Sequence, residues 1–167
     1  IEKVKLGFTS ERELIGRYLQ DPKMVSAYTV FYMATNYVKL AQIFKLIQIE
    51  KLLDKNLSYQ FIDIGSGPGT FSFAINDYFK DKLEHEVWGI DTAPLMREQA
   101  KKLAENHADW SKVKFVDRVQ DITIHPNPVA IFSHSFNEMG MELAKNYLNK
   151  LKPKWIIFIE PGTKDLF

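Results

Sequence analysis

The 167-residue sequence predicts an α/β protein in which a helical segment precedes a parallel sheet. From residue 59 onward, five short apolar runs alternate with stretches of helical periodicity. Most positions of each run are apolar, which is typical of parallel strands because helical crossovers cover both of their faces. Residues 1–57 show helical spacing and no convincing strand. We therefore expect a helical cap region at residues 1–57 and an α/β domain at residues 58–167.

The N-terminal region carries two helical signals. Asp21-Pro22 predicts a helix start, because proline is tolerated in a first turn. Tyr28, Tyr32 and Asn36 would then share one face of that helix. This face either packs against the domain or lies over a ligand, and in the second case Tyr28 and Tyr32 contact the substrate. Apolar residues at helical spacing further along are Leu40, Ile43, Phe44 and Ile47.

The strands are expected, in order, at residues 59–64, 86–90, 113–116, 129–132 and 155–159. Helical stripes follow the first, second and fourth strands, and the second stripe extends from Leu95 to His107. The connection at residues 121–128 is short and contains two prolines, which predicts a loop rather than a helix.

Composition excludes several classes of protein. An apolar fraction of 46% excludes disorder, and 22 basic against 21 acidic residues give no global field for nucleic acid or membranes. The absence of cysteine excludes structural disulfides, thiolate metal sites and a cysteine nucleophile within this segment. The four histidines lack metal-ligand spacing, so we expect no metal site. No apolar run approaches the roughly 20 residues of a membrane span, so no membrane contact is expected.

The strongest motif is Asp63-Ile64-Gly65-Ser66-Gly67-Pro68-Gly69, at the carboxyl end of the first strand. Open α/β sheets bind ligands at this edge, and glycines let a ligand approach the backbone. A dinucleotide fingerprint would need glycine where Thr70 stands, and no lysine follows to form a nucleotide-phosphate loop. The motif therefore predicts a different small ligand. A turn used only for tight strand-to-helix packing is the alternative.

Acidic residues also follow the second and third strands. A carboxylate at Asp91 can accept both hydroxyls of a ribose, although Asp91 or Thr92 can instead cap the next helix. Asp121 can accept from an adenine amino group while Ile122 covers the ring, the alternative being a solvated loop acid. Together these acids predict an adenosine-like ligand.

The glycine turn and the two acidic positions resemble those of class I S-adenosylmethionine-dependent methyltransferases, across residues 58–167. The resemblance implies a Rossmann-like parallel sheet, S-adenosyl-L-methionine as cofactor and S-adenosyl-L-homocysteine as product. The complete fold has seven strands, so the last two are expected beyond Phe167 or are missing. The resemblance implies that the cofactor is held by Asp63, Gly65, Gly67 and Gly69 at its methionine end, Asp91 at the ribose and Asp121 with Ile122 at the adenine, with Ser66, Thr92 and Ser135 as further contacts.

The acceptor side of such a site follows the fourth strand, where the chain reads Ser133-His134-Ser135-Phe136-Asn137-Glu138. The [DN]-P-P-[YFW] pattern of many amino-methyltransferases is absent, and without cysteine the covalent route to cytosine carbon methylation is closed within this segment. No catalytic residue is assigned, and the candidates for a base or orienting group are His134, Glu138 and Glu160. Alternatively, Ser135 and Glu138 form a helix capping box and His134 is hydrogen-bonded at the sheet end.

A narrower resemblance comes from the sequence of residues 157–163, Ile-Phe-Ile-Glu-Pro-Gly-Thr, together with the glycine turn. These segments resemble the methyltransferase-like proteins associated with the mitochondrial small ribosomal subunit and their bacterial relatives. The resemblance implies action on or near small-subunit ribosomal RNA, as a methyltransferase or as a ribosome-assembly factor without catalysis. One departure is that mitochondrial members carry metal-binding cysteines, which this segment lacks.

Other properties leave alternatives open. The near-neutral charge also fits a small-molecule methyltransferase. A lysine cluster can contact RNA phosphates or form a solvated helix face. It comprises Lys145, Lys150, Lys152 and Lys154. The expected location is cytoplasmic, with the mitochondrial matrix as the alternative, and the sequence predicts no oligomeric state.

Overall fold

The computed structural model describes residues 19–160, so the predicted features at residues 1–18 and 161–167 lie outside the described residues. Helix α1 comprises Pro22–Leu46 and begins as expected, with proline in its first turn. The Lys23 amide donates to the Asp21 carboxylate at 2.9 Å, which caps the helix. A short helix α2, Ile49–Leu52, follows a left-handed Gln48.

Five parallel strands form one sheet in the order β3-β2-β1-β4-β5. The strands are β1 (Tyr59–Ile64), β2 (His85–Ile90), β3 (Lys114–Val116), β4 (Pro128–Ser133) and β5 (Trp155–Ile159). The helices between them are α3 (Thr70–Phe79), α4 (Pro94–Glu105), α5 (Phe136–Met139) and α6 (Met141–Leu151). The parallel α/β prediction with an N-terminal helix is therefore confirmed. The order reverses direction between β1 and β4, which creates the crevice where open sheets bind ligands.

Two predicted helices differ from those observed. Helix α4 ends at Glu105, and His107 instead precedes a 3-10 turn at Ala108–Trp110. The stretch after β4 forms two helices rather than one, because Gly140 interrupts it with φ 78° and ψ 162°. The predicted loop at residues 121–128 is confirmed: a 3-10 turn at Val119–Asp121 is followed by irregular backbone up to β4.

Two apolar cores cover the faces of the sheet, because alternate residues of β1 point to opposite sides. Phe61 belongs to the core that packs under α1 and α3, whereas Ile62 and Ile64 belong to the core beneath α6. Leu40 and Phe44 bring α1 into the first core and are fully buried. Among residues 19–160, no helix has both the length and the hydropathy needed to cross a bilayer.

Polar contacts fix α1 against α3. The Tyr37 hydroxyl donates to the Asp77 carboxylate, which also accepts from Trp110 Nε1 at 3.0 Å. The Tyr78 hydroxyl donates to Glu50 Oε1 at 2.8 Å, close to the α2 end of the same surface. Because α1 reaches over the carboxyl ends of the strands, these contacts determine where its cavity-facing side chains lie.

We expect Tyr37→Phe to lower the free energy of unfolding by about 1 kcal/mol, because Asp77 loses a partly buried hydroxyl donor. Urea unfolding followed by circular dichroism measures the change. Asp109→Asn is the control, since its ion pair with Lys80 at 3.4 Å is solvent-exposed and is expected to change stability by less than about 0.5 kcal/mol. Equal effects of the two variants would contradict this account of the α1–α3 contact.

Candidate functional site

A cavity of about 750 Å³ lies at the carboxyl ends of the strands, beneath α1. Its walls come from the segments that follow β1, β2 and β4, and from the end of β5. This volume lies within the range of natural ligand sites, and its position is the switch point of the sheet. Gly65, Ser66 and Gly67 of the predicted turn therefore face one space with Asp91 and Thr92. Gly69 does not line the cavity, which corrects its expected contact with the cofactor, because it packs against Phe115 and Phe73.

The glycine turn presents bare backbone to the cavity. The amides of Gly65 and Ser66 both donate to the Ile90 carbonyl, at 2.8 and 2.9 Å, which ties the turn to β2. A Cβ on Gly65 would meet the Ser135 Cβ at 2.4 Å, so only glycine fits there. Gly67 has φ +54°, and a Cβ on it would meet nothing within 4 Å. The Gly67 backbone is therefore open to a ligand, whereas Gly65 provides close packing.

Asp91 lines the cavity and holds the turn in place. Its Oδ2 accepts from the Gly67 amide at 2.7 Å, and its Oδ1 accepts from the Ala93 amide at 2.8 Å. Burial raises the pKa of Asp91, against the lowering effect of these amides and of Arg97. The alternative of a helix cap is wrong for both Asp91 and Thr92, because α4 has Ala93 at its N-cap and no side chain caps it.

Asp63 does not reach the cavity, which corrects its expected contact with the cofactor. It points to the α3 side of β1, where its Oδ2 accepts from the Ser72 hydroxyl at 2.7 Å. Its other oxygen, Oδ1, is buried and has no hydrogen-bond partner within the described residues. Burial raises the pKa of Asp63 to about 7. The Asp63 carboxyl therefore links the end of β1 to the first turn of α3, on either side of the glycine turn.

The predicted adenine contacts also need correction. Ile122 is 6% exposed and packs in the core beneath α6, while Asp121 is exposed and pairs with Arg118 at 3.4 Å. Neither side chain lines the cavity. The apolar lining on the β2 and β4 sides comes instead from Met96, Met139, Leu143 and Tyr147. Helical spacing placed Met96, Leu143 and Tyr147 in apolar stripes but gave no reason to separate cavity-lining from core residues, so this lining was missed.

At the end of β4, His134 has φ +58° and lines the cavity. Its backbone amide donates to the Ile159 carbonyl at 2.8 Å. The ring makes no hydrogen bond within the described residues, so the alternative of a side chain hydrogen-bonded at the sheet end is not confirmed. The imidazole lies 5.8 Å from the Phe71 ring, centre to centre. Burial lowers the pKa of His134, and Lys39 lowers it further. Both effects favour the uncharged form of the imidazole.

The predicted capping box does not form. The Ser135 hydroxyl donates to the Ile64 carbonyl and makes no cap bond to α5. Glu160 takes the capping role from the end of β5, because it accepts from the Phe136 amide at 2.9 Å and from Asn137 Nδ2 at 3.2 Å. Burial raises the pKa of Glu160, and neighbouring backbone amides oppose that shift. Ser135, Glu138 and Glu160 all line the cavity.

Helix α1 forms the roof of the cavity. Its lining residues follow one face of the helix and are Tyr28, Tyr32, Asn36, Lys39 and Ile43. The rings of Tyr28 and Tyr32 lie 4.7 Å apart, centre to centre. Burial raises the pKa of Tyr28, and the negative charges of Glu138 and Asp91 raise it further. The face predicted from the spacing of the tyrosines is therefore the one that covers the strand ends.

The lysine cluster lies elsewhere. Lys152 and Lys154 precede β5, so they lie near the amino end of that strand, whereas the cavity lies at the carboxyl ends. Lys154 donates to Asn127 Oδ1 at 2.6 Å, and Lys145 pairs with Glu142 at 3.4 Å. Within residues 19–160, no group of three or more histidine, cysteine, aspartate or glutamate side chains is placed to hold a metal ion.

Residues 22–167 match the family described as mitochondrial small ribosomal subunit Rsm22. The chain belongs to this family. A sequence comparison with curated proteins gave no match. The Rsm22 match covers α1 as well as the sheet, so the roof and the strand ends belong to the same family pattern.

Solved structures share the fold of this Rsm22 family member. The plantazolicin methyltransferase BpumL, crystallised with a pentazolic desmethylPZN analog and SAH, has a TM-score of 0.56 at 20% identity, over 93% of this chain and 60% of its own. A Methanococcus maripaludis protein assigned to the S-adenosyl-L-methionine-dependent methyltransferases gives 0.54 at 19%, over 85% and 60%. An Aquifex aeolicus SAM-dependent methyltransferase gives 0.53 at 16%, over 86% and 76%.

These likenesses show a Rossmann-like class I methyltransferase fold. The chain spans 60% of the length of the first two of these neighbours, so the likeness shows its fold and not its activity.

We expect Asp63→Asn to change how stability depends on pH. A carboxyl with a raised folded-state pKa stabilises the fold below its ordinary value of 3.8, and that contribution is lost as pH rises to about 7. The free energy of unfolding of the variant, relative to wild type, should therefore increase across this interval. Urea unfolding at a series of pH values measures it. Asp81→Asn, at an exposed position, is the control; parallel pH profiles for wild type and Asp63→Asn would contradict the prediction.

Proposed function

We propose that the cavity binds S-adenosyl-L-methionine and that the protein transfers its methyl group to RNA of the small ribosomal subunit, or to a group near it. The observation that carries this proposal is the meeting of an open glycine turn with the Asp91 carboxylate at the switch point of the sheet. A ligand with an amino-acid end and a ribose matches these two features.

The side chains around the turn fit such a ligand. The Ser66 and Ser133 hydroxyls are buried in the cavity wall without hydrogen-bond partners among the described residues, so both are suited to the polar amino-acid end. Each Asp91 oxygen accepts one amide and retains further acceptor capacity for a ribose hydroxyl. The apolar side chains of Met96 and Leu143 suit a purine ring.

When bound, S-adenosyl-L-methionine supplies a methyl group on a sulfonium, which reacts with a nucleophile held in line with it. The chain contributes positioning, since a well-oriented acceptor removes much of the barrier. The roof formed by α1 limits access of water to the strand ends. Of the three candidate catalytic side chains, His134 is able to accept a proton in its uncharged form, whereas Glu160 is engaged in capping α5.

The family description supports the small ribosomal subunit as the place of action, and it agrees with the mitochondrial matrix as the location. A second function, a cofactor-binding assembly factor without catalysis, is favoured by one observation. Glu160 already accepts two hydrogen bonds from the start of α5, which leaves it poorly suited to act as a base.

We expect Asp91→Ala to weaken binding of S-adenosyl-L-homocysteine by at least about tenfold, because hydrogen bonds to a charged acceptor are lost. Isothermal titration calorimetry on wild type and variant measures it. Asp121→Ala is the matched control, since this acid lies outside the cavity and should leave the affinity unchanged. Absence of binding by the wild-type protein would disprove the proposed function.

We also expect the full-length protein to transfer labelled methyl from S-adenosyl-L-methionine to fragments of small-subunit RNA, and Asp91→Ala to abolish the transfer. Incorporation is counted after RNA purification. Transfer that depends on Asp91 would exclude the assembly-factor function without catalysis as the main role. Cofactor binding without transfer to any fragment would favour that second function instead.

A further inference from the structure

One end of the cavity combines aromatic rings with hydrogen-bonding side chains that the proposed cofactor contacts leave unused. We call this the acceptor end and define it by Phe71, His134, Asn36 and Lys39, all of which line the cavity. We propose that the acceptor end binds the planar base of a single unpaired RNA nucleotide, with His134 hydrogen-bonded to the edge of that base. This inference rests on the proposed function above and adds the chemical class of the acceptor.

The backbone at His134 is the first observation. Among residues 19–160, the non-glycine residues with positive φ are Gln48, His134 and Lys152. Lys152 ends α6 and Gln48 separates α1 from α2, which are positions where left-handed residues commonly occur. His134 instead follows the buried strand β4 and faces the cavity. A left-handed backbone is unfavourable for any residue with a Cβ, and such strain concentrates at functional sites.

The hydrogen-bonding capacity of the imidazole is the second observation. Within the described part of the chain, no hydrogen bond is made by the His134 ring, although its backbone amide is paired with Ile159. A neutral imidazole carries one donor and one acceptor nitrogen. The edges of nucleobases place donors next to acceptors in the same way. His134 can therefore pair with a base edge, whereas an aliphatic group would make no hydrogen bond to the ring nitrogens.

The neighbours of His134 complete a site for a flat ring. The Phe71 ring lies 5.8 Å from the imidazole at an angle of 48°, so an aromatic face adjoins the hydrogen-bonding group. Lys39 Nζ donates to Asn36 Oδ1 at 2.9 Å, which orients the amide and leaves its NH₂ group able to donate. The Lys39 ammonium also places a positive charge on the roof, where the phosphate of the same nucleotide would follow its base.

RNA is favoured over a free heteroaromatic molecule by two features. The family to which the chain belongs is described as mitochondrial small ribosomal subunit Rsm22, and such a subunit contains RNA. In addition, base-specific RNA recognition mostly uses unpaired bases that stack on aromatic side chains, and an enzyme reaches a base only after it has left its helix. The acceptor end is part of a cavity of about 750 Å³ beneath α1, a volume suited to a small ligand or a single nucleotide and too small for a duplex.

The test measures binding of a fluorescently labelled single-stranded RNA to the full-length protein by anisotropy, in the presence of S-adenosyl-L-homocysteine. His134→Gly accommodates the left-handed backbone without strain and removes the whole side chain, including the ring. We expect this variant to bind the RNA about tenfold more weakly, the size of one lost base contact. His134→Asn tolerates positive φ and keeps one hydrogen-bonding side chain, so an intermediate loss is expected.

Two controls keep the result specific. Gln48 also has a positive φ but does not line the cavity. Gln48→Gly therefore makes the same kind of backbone change and should leave RNA affinity unchanged. Calorimetry with S-adenosyl-L-homocysteine on the same samples tests cofactor binding separately from RNA binding. A wild-type protein that does not bind this ligand would disprove the proposed methyltransferase function, whatever the RNA result.

Three results would overturn the acceptor assignment. The first is unchanged RNA affinity in His134→Gly. The second is equal binding of the intact RNA and of a series in which each nucleotide in turn is made abasic. The third is a free nucleoside that binds as tightly as the RNA, which would assign the site to a small heteroaromatic molecule. Weaker binding of His134→Gly, together with loss of affinity at one abasic position, would support it.

Discussion

The hydrogen bond from the Gly67 amide to the Asp91 carboxylate, at 2.7 Å, links the two halves of the candidate site. It joins the end of β1 to the end of β2, and the Gly65 and Ser66 amides reinforce the same junction through the Ile90 carbonyl. Because these strands are parallel neighbours, their carboxyl ends meet at one edge, and the side chains beyond them converge. The shape of the cavity floor depends on this junction.

Burial beneath the junction has an electrostatic cost. Asp63 lies under the turn with one oxygen bonded to Ser72 and the other without a partner among the described residues, and its pKa is raised to about 7. Asp91, nearby, also has a raised pKa despite two amide donors. Burial is the main cause of the raised pKa of both carboxyls, and the charge of Asp91 further disfavours ionisation of Asp63. Such destabilised groups are common where a ligand later contributes donors or counter-charge.

Helix α1, the roof of the cavity, is held by different interactions from those that hold the cavity floor. Helix α1 is positioned by apolar packing of Leu40 and Phe44 and by the contact of Tyr37 with α3. None of these three residues lines the cavity. Its ligand-facing residues, from Tyr28 to Ile43, extend over about 22 Å of helix at 1.5 Å per residue. The roof therefore spans the site from the Asp91 side to the His134 side. Contacts remote from the cavity set where its tyrosines lie, which couples the cap region to the acceptor end.

The sequence by itself determined the parallel α/β fold, the start of α1, the five strands and the glycine turn, because each follows from local periodicity, local turn chemistry or the proline at a helix start. It also identified Asp91 and the tyrosine face, which depend on strand ends and helical spacing. Tertiary structure decided the rest. The Asp63 side chain accepts a hydrogen bond from Ser72 instead of lining the cavity, and Ile122 packs in the core. Glu160, and not Ser135, caps α5. Those outcomes depend on which side of a strand meets which neighbour, and on contacts between residues far apart in the chain, so no local pattern records them.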